Sequence, residues 1–228
     1  MSFTFFQVGG CVRDEFLGVK SKDIDFAVEA PSFDAMVADI TARGGKIFLS
    51  KPEFQTVRAK LDGDVADFVL CRKESFYSDG RRPDSVTIGT IDDDLSRRDF
   101  TVNAIAKRED GTFHDPHNGV ADLKAKILRC VGNTQDRFRE DSLRMLRAIR
   151  FHITKDLTLS DDIVNALSDK DTVSLLKNVS QERIREELGK CFAFNTFQTI
   201  EVLNRFPDIK FFVFTEVDLW LKPTNEKK

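Results

Sequence analysis

Asp23 and Asp25 stand two residues apart in GGCVRDEFLGVKSKDIDF, residues 9–26. On a strand, residues at that spacing point to the same side, so the two carboxylates would stand together. Adjacent anions repel unless a cation joins them. Hard divalent ions such as Mg²⁺ take carboxylate oxygens and keep positions open for phosphate. A solvated surface turn can carry the same pair, and the pair alone leaves that open. Upstream, Gly9-Gly10 lead into a short amphipathic stretch where backbone N–H groups can meet a triphosphate with no Cβ in the way. A plain tight turn uses the same two glycines. Arg13, one turn further on, can add a charged fork. Within one short segment, one part is suited to phosphate and another to a cation.

Three further stretches carry candidate chemistry. Asp67 alternates with apolar neighbours in VADFVLCR, residues 65–72, and could complete a three-acid metal site with Asp23 and Asp25; a solvent-facing carboxylate fits the alternation equally well. In DDDLSRRDFTVNAIA, residues 92–106, Arg98 could meet a phosphate, or sit solvated at a capped helix start. In EDSLRMLRAIRF, residues 140–151, Asp141, Arg144 and Arg147 recur every third residue and would share one helical face, as a salt-bridge ladder also would. No Ser/His or Cys/His arrangement suggests a covalent intermediate. His114, His117 and His152 read as structural or surface residues.

The elements that must position these groups follow from pattern. Strands are expected at 3–8, 24–28, 46–49, 56–61 and 65–71, with a short helix at 12–17. Ser32 is placed to cap a helix carrying Phe33, Met36, Val37 and Ile40, which ends near Gly44-Gly45. Residues 72–90 read as a long functional loop, 99–106 as helical, and Asp110-Gly111 as a hairpin turn. From Thr134 the apolar spacing becomes three and four, giving four or five helices up to Phe206. FPDIKFFVFTEVDLWL is ambiguous and KPTNEKK reads as a frayed tail. The expected fold class is α+β: a head with a mixed β-sheet and flanking helices over 1–133, then an all-helical neck over 134–228.

The whole chain sets outer bounds. It has 228 residues, and its 35 basic against 38 acidic side chains give a net charge of −3, so any nucleic-acid contact must come from a local basic surface. Cys11, Cys71, Cys130 and Cys191 are scattered, which argues against zinc and against a disulfide framework. The N-terminus lacks a signal-peptide pattern and no apolar run reaches membrane-spanning length, so a cytoplasmic location without membrane contact is expected.

Taken jointly, the motifs resemble those of class II tRNA nucleotidyltransferases (CCA-adding enzymes) and the related bacterial poly(A) polymerases. GGCVRDEFLGVKSKDIDF looks like their motif A, RRDFTVNAIA like motif B, and DPHNGVADLKAKILRCVG like motif C. EDSLRMLRAIRF is similar to motif D and SQERIREELGK to motif E, while ESFYSDGRRPDSV resembles the family's flexible loop. The motifs run in family order over about residues 5–206.

The resemblance implies a polymerase-β-type nucleotidyltransferase head joined to a helical neck, in a compact form lacking most of the body and tail. By resemblance, Asp23, Asp25 and Asp67 would hold two Mg²⁺ ions. Gly9, Gly10, Arg13 and Arg98 would bind the incoming nucleotide, Asp141 and Arg144 would read its base, and Arg147 would support the site. The reading chemistry stands on its own. Adenine and cytosine both present an amino donor beside a ring acceptor, which a carboxylate next to a guanidinium complements. Guanine and uracil reverse that pattern, and such mismatches can discriminate on the order of 10⁴-fold. The implied activity is addition of C and A from CTP and ATP to the 3′ end of tRNA, with no role for DNA. Poly(A) synthesis, CC-only or A-only addition, and a non-catalytic RNA-binding or regulatory role are the alternatives. The short flank before Gly9 and the retained loop favour CCA addition. A shortened form would grip RNA through a dimer, a partner, or its acceptor end alone.

Overall fold

The computed structural model describes residues 3–21, 23–75 and 85–217. The chain divides into two compact units, Met1–Asn133 and Thr134–Lys228.

The first unit is built on a seven-stranded mixed sheet. Its strands are β1 (Thr4–Val8), β2 (Ile24–Glu29), β3 (Lys46–Lys51), β4 (Thr56–Leu61), β5 (Asp64–Leu70), β8 (Ala106–Arg108) and β9 (Phe113–His114), in the order β3-β4-β5-β2-β1-β8-β9. Every neighbouring pair is antiparallel except β2 and β5. Alternation sends side chains to two faces. One face buries Phe5, Val28, Val57 and Phe68 beneath Met36 and Ile40 of helix α2 (Phe33–Ala42). Burying each of these apolar side chains fully is worth about 1.5–3 kcal/mol. The other face buries Phe6, Val8 and Ala27 against Ile91 and Leu95 of helix α3 (Ile91–Ser96). Helix α1 (Gly10–Phe16) follows β1 directly.

Local chemistry sets most boundaries where the pattern puts them. Ser32 Oγ accepts the Ala35 N–H at 3.1 Å and starts α2. Asp110-Gly111 turns β8 into β9, with Gly111 at φ 83°.

Two expectations need correction. Residues 72–90 are not one long loop, because Arg72–Ser75 (β6) and Ser85–Ile88 (β7) pair as an antiparallel ladder. SVTI is rich in β-branched residues, and that outweighs the polar composition around it. The central part of the loop-like stretch, residues 76–84, lies outside the described residues. Nor are residues 99–106 a helix. The helix lies earlier, at α3, where Thr90 and Asp93 form a reciprocal capping box. Residues Thr101–Asn103 make a single tight turn before β8 begins. Asp99 causes the break: its carboxylate accepts both the Phe100 N–H (2.8 Å) and the Asn103 side-chain amide (2.9 Å).

The second unit is helical apart from connecting turns and a two-residue strand, Thr158–Leu159. Its helices are α5 (Thr134–Glu140), α6 (Leu143–Lys155), α7 (Asp161–Ser168), α8 (Lys170–Ser174), α9 (Gln181–Phe194) and α10 (Thr196–Arg205). That is one or two more than the spacing suggests up to Phe206, because α8 is only five residues long. The ambiguous FPDIKFFVF stretch is helical, as α11 (Pro207–Phe211) running into a π-turn, Phe212–Glu216. Helix α6 buries Met145, Leu146 and Ile149, and α9 buries Ile184 and Leu188. Arg150 and Glu187 form an ion pair between these two helices. Among the described residues no helix is long and apolar enough to cross a membrane.

Candidate active site

The single parallel joint of the sheet brings two of the three acidic residues together. Across it, Asp25 of β2 is the register partner of Asp67 of β5, so both carboxylates leave the same face on neighbouring strands. Burial and then the Asp67 charge push the Asp25 carboxyl above the usual carboxylate range; Arg98 opposes the rise, and Asp23 adds to it. Asp23 lies just before β2 with its side chain 78% exposed. Arg58 of β4, the register partner of Asp67 on its other side, reaches Asp67 at 3.8 Å and Asp23 at 3.9 Å. Among the described residues no three acidic, histidine or cysteine side chains are gathered closely enough to hold a metal ion. The donor chemistry nonetheless suits a hard divalent cation. The Asp25–Asp67 pair carries repulsion that such an ion would relieve, and the exposed Asp23 is free of packing that would hold it away.

Gly9 closes the other side of the site. It precedes α1 at φ 74°, a conformation L side chains rarely adopt, and a Cβ there would lie 3.0 Å from Arg98 Nη1 and 3.9 Å from Asp25 Oδ2. Arg98 therefore lies directly against the glycine corner, beside Asp25. It is held there by Asp94, which accepts from its Nη2 (2.9 Å) and Nε (3.2 Å), and by the Asn103 carbonyl at 3.3 Å. Asp94 also pairs with Arg97, and its side chain is only 1% exposed. Burial opposes the charge on Asp94, yet the Arg98 and Arg97 guanidiniums hold its carboxyl below the usual range.

Arg13 sits beneath this corner rather than open to solvent. It is 7% exposed, and a Cβ at Gly10 would lie 3.5 Å from its Nη2. Its Nε donates to Asp14 (2.9 Å) and its Nη1 to the Asn103 side-chain oxygen (2.6 Å). Asn103 thus ties Arg13, Arg98 and Asp99 into one network. The nearby thiols are unsuited to act as nucleophiles, since burial pushes Cys11 and Cys71 up.

In the second unit, Asp141 is not on the helix with Arg144 and Arg147. It lies between α5 and α6, where its carboxylate accepts the Leu143 N–H at 3.1 Å, and aspartate at a helix start favours such a bond over helical continuation. The same carboxylate pairs with Arg183 of α9 at 3.0 Å. Arg144 donates to Glu140 (2.7 Å) and to the Arg137 carbonyl (3.2 Å), so these two side chains are each held by other partners. The Arg147 guanidinium lies 5.5 Å over the Phe151 ring.

Four residues of these networks escape the motif reading: Arg58, Asp94, Asn103 and Arg183. Signals exist for three of them. Arg58 alternates with Val57 and Ala59, Asp94 stands three and four residues before Arg97 and Arg98, and Asn103 is a lone amide in an apolar run. Arg183 lies in the motif E stretch, with no local signal of its partner.

Comparison with known proteins places the chain among nucleotidyltransferases of this fold. The chain is 40% identical over 185 residues to the CCA-adding enzyme of Limosilactobacillus reuteri, an alignment covering 80% of this chain and 44% of that enzyme. The Bacillus stearothermophilus CCA-adding enzyme in complex with CTP superposes with a TM-score of 0.76 at 32% identity, covering 89% of this chain and 48% of the other. A tRNA nucleotidyltransferase complexed with a primer tRNA and an incoming ATP analog gives the same TM-score at 28% identity, covering 96% and 61%. The chain spans about half the length of the curated relatives it matches. The mixed sheet with its flanking helices is a polymerase-β-type nucleotidyltransferase head. The Poly A polymerase head domain model matches residues 5–129, which include the glycine corner, all three acidic residues and Arg98, and the chain belongs to that family.

Proposed function

We propose that this chain is a template-independent RNA nucleotidyltransferase that adds C and A from CTP and ATP to the 3′ end of tRNA in the cytoplasm. The observation that carries this reading is the Asp25–Asp67 pair beside a glycine corner occupied by the Arg98 guanidinium. Asp23, Asp25 and Asp67 would hold two Mg²⁺ ions, which when bound supply activation of the RNA 3′-hydroxyl and stabilisation of the leaving pyrophosphate. Arg98, fixed by Asp94 and the Asn103 carbonyl, offers positive charge to the triphosphate at a preset position. Arg13 holds the corner from below through Asn103 and Asp14, and Gly9 and Gly10, with no Cβ of their own, leave room for the Arg98 and Arg13 guanidiniums. Asp141 accepts from the base amino group and Arg144 donates to the ring nitrogen, so each exchanges its present partner for the base. Arg183 and Glu140 keep the two groups oriented until then. Arg147 supports that pair.

Incubation with a tRNA lacking its 3′ CCA, Mg²⁺ and single nucleotides tests the reading. Incorporation of CTP and then ATP, with GTP and UTP refused, is the expected result. Long A-tails on arbitrary RNA would instead favour poly(A) synthesis, which the family description also admits. Acceptance of all four nucleotides would remove the role given to Asp141 and Arg144.

A further inference from the structure

The face of the sheet that carries Asp25 and Asp67 is covered by α3 over β1 and β2, but on β3 and β4 its residues other than the half-buried Thr56 are exposed. Register defines what that bare part displays. Lys60 and Arg58 of β4 share the face of Asp67, and their partners on β3 are Lys46 and Leu49. Lys51, opposite Thr56, lies on the same face. Three large apolar groups stand exposed among these cations: Phe48 at 53%, Leu49 at 46% and, just after β3, Phe54 at 57%. Lys46 Nζ lies 5.9 Å over the Phe48 ring and Lys51 Nζ lies 6.0 Å over Phe54.

Edge protection accounts for lysines on β3 but not for this surface as a whole. It does not call for Lys60 on the inner strand β4, and it would remove exposed phenylalanines rather than supply them. Lys46 and Lys60 are also direct cross-strand partners, an arrangement of like charges that destabilises a sheet. Glu53, Asp62 and Asp64 are nearby in sequence, yet none pairs with these lysines among the described residues.

We infer that this lysine–phenylalanine shelf is the track for the single-stranded 3′ end of the acceptor RNA, bases stacking on Phe48 and Phe54 and phosphates meeting Lys46, Lys51 and Lys60. The inference rests on the nucleotidyl-transfer reading and adds to it where the attacking strand lies. Alternating cations and exposed rings are the combination that binds single strands without sequence preference. The shelf is continuous with the carboxylates, because Leu49, Arg58 and Asp67 are successive register partners, and two strand spacings make about 10 Å.

The test compares the full chain with two variants, Lys46→Gln/Lys51→Gln/Lys60→Gln and Phe48→Ala/Phe54→Ala. The probe is a fluorescently labelled tRNA transcript lacking its CCA, with binding followed by anisotropy across a KCl series. Each single-strand phosphate contact contributes about 0.7 to the log–log salt slope, so the triple variant should flatten it by about two. The double variant should bind roughly ten-fold or more weakly with the slope preserved. The affinity of both for CTP, measured without RNA, should match the wild type. Unchanged RNA affinity and slope would overturn the inference. So would an effect on self-association alone, which would make the shelf a protein contact. A wild type that binds RNA with the expected variant effects yet incorporates no nucleotide would sink the nucleotidyl-transfer reading and leave the shelf standing. A wild type that binds no RNA would sink both.

Discussion

Burial raises the Asp25 carboxyl above its usual 3.8, Asp67 and Asp23 raise it further, and Arg98 pulls it back. A carboxyl that holds its proton more tightly folded than unfolded lowers stability as pH rises from about 4 through the raised value. At neutral pH without metal, the ionised Asp25 therefore works against folding. Asp25→Asn keeps the shape and removes the charge. Its melting temperature in EDTA at pH 7 should exceed that of the wild type, while nucleotide incorporation disappears. A lower melting temperature would show that the charge is already satisfied. Asp94 has the opposite sign. Its lowered carboxyl contributes stability above the ordinary value near 3.8, and that contribution is lost as pH falls through the depressed one. Asp94→Asn should cost about 3–5 kcal/mol in urea unfolding at pH 7, since it leaves Arg97 and Arg98 without their shared buried anion. A loss under 1 kcal/mol would mean other groups hold both arginines. The difference between these residues also explains what the sequence made legible. Asp23 and Asp25 declare themselves by spacing two apart. The pairing of Asp67 with Asp25, and the convergence of Arg13 and Arg98 on Asn103, depend on strand register and a turn that no local spacing encodes.

At the scale of elements, the turn carrying Asn103 is set by a glycine far along the chain. A Cβ at Gly119, the first residue of helix α4 (Gly119–Ala125), would lie 2.1 Å from the Thr101 carbonyl oxygen and 2.8 Å from Ile105. Asp122 of the same helix accepts the Thr101 hydroxyl at 2.7 Å, so helix and turn are locked together. Gly119→Ala forces them apart. We expect a loss of about 1–3 kcal/mol in chemical denaturation and reduced nucleotide affinity, because the displaced turn carries the Asn103 groups that hold Arg13 and Arg98. Wild-type stability in this variant would show that the contact relaxes without cost. The glycine stands inside a recognisable motif stretch, but its reason is a backbone approach between distant segments. The misread elements have a similar origin. Residues 72–90 look like a loop because polar residues dominate, while the β-branched Ile88, Thr87 and Val86 pair with Arg72, Lys73 and Glu74 in turn. Asp141 fits a helical ladder by spacing, yet its carboxylate takes the Leu143 N–H and ends the run. Strands β1 to β5 were readable because each combines alternation with a clear turn, and α2 because Ser32 caps it.

For the whole chain, near-balanced charge means that a polyphosphate ligand is attracted by local groups, and its binding should register as a shift in global stability. A ligand that binds only the folded protein adds RT ln(1 + [L]/Kd), about 2.7 kcal/mol at a hundred-fold excess over Kd. For a protein of this size that corresponds to a rise of roughly 5–10 °C in melting temperature. With Mg²⁺ present, CTP and ATP should each produce such a rise. GTP shares the triphosphate, but under the proposed base-reading role it would present a carbonyl to Asp141 and an N–H to Arg144, so its rise should be smaller at equal concentration. Arg144→Ala supplies the control, because removing one reader should bring the CTP and GTP shifts close together while Mg²⁺ and triphosphate binding persist. Scanning calorimetry or dye-monitored melting of both proteins with each nucleotide decides the matter. Equal CTP and GTP shifts in the wild type would mean that the protein recognises the triphosphate alone. Base choice would then have to come from somewhere other than Asp141 and Arg144.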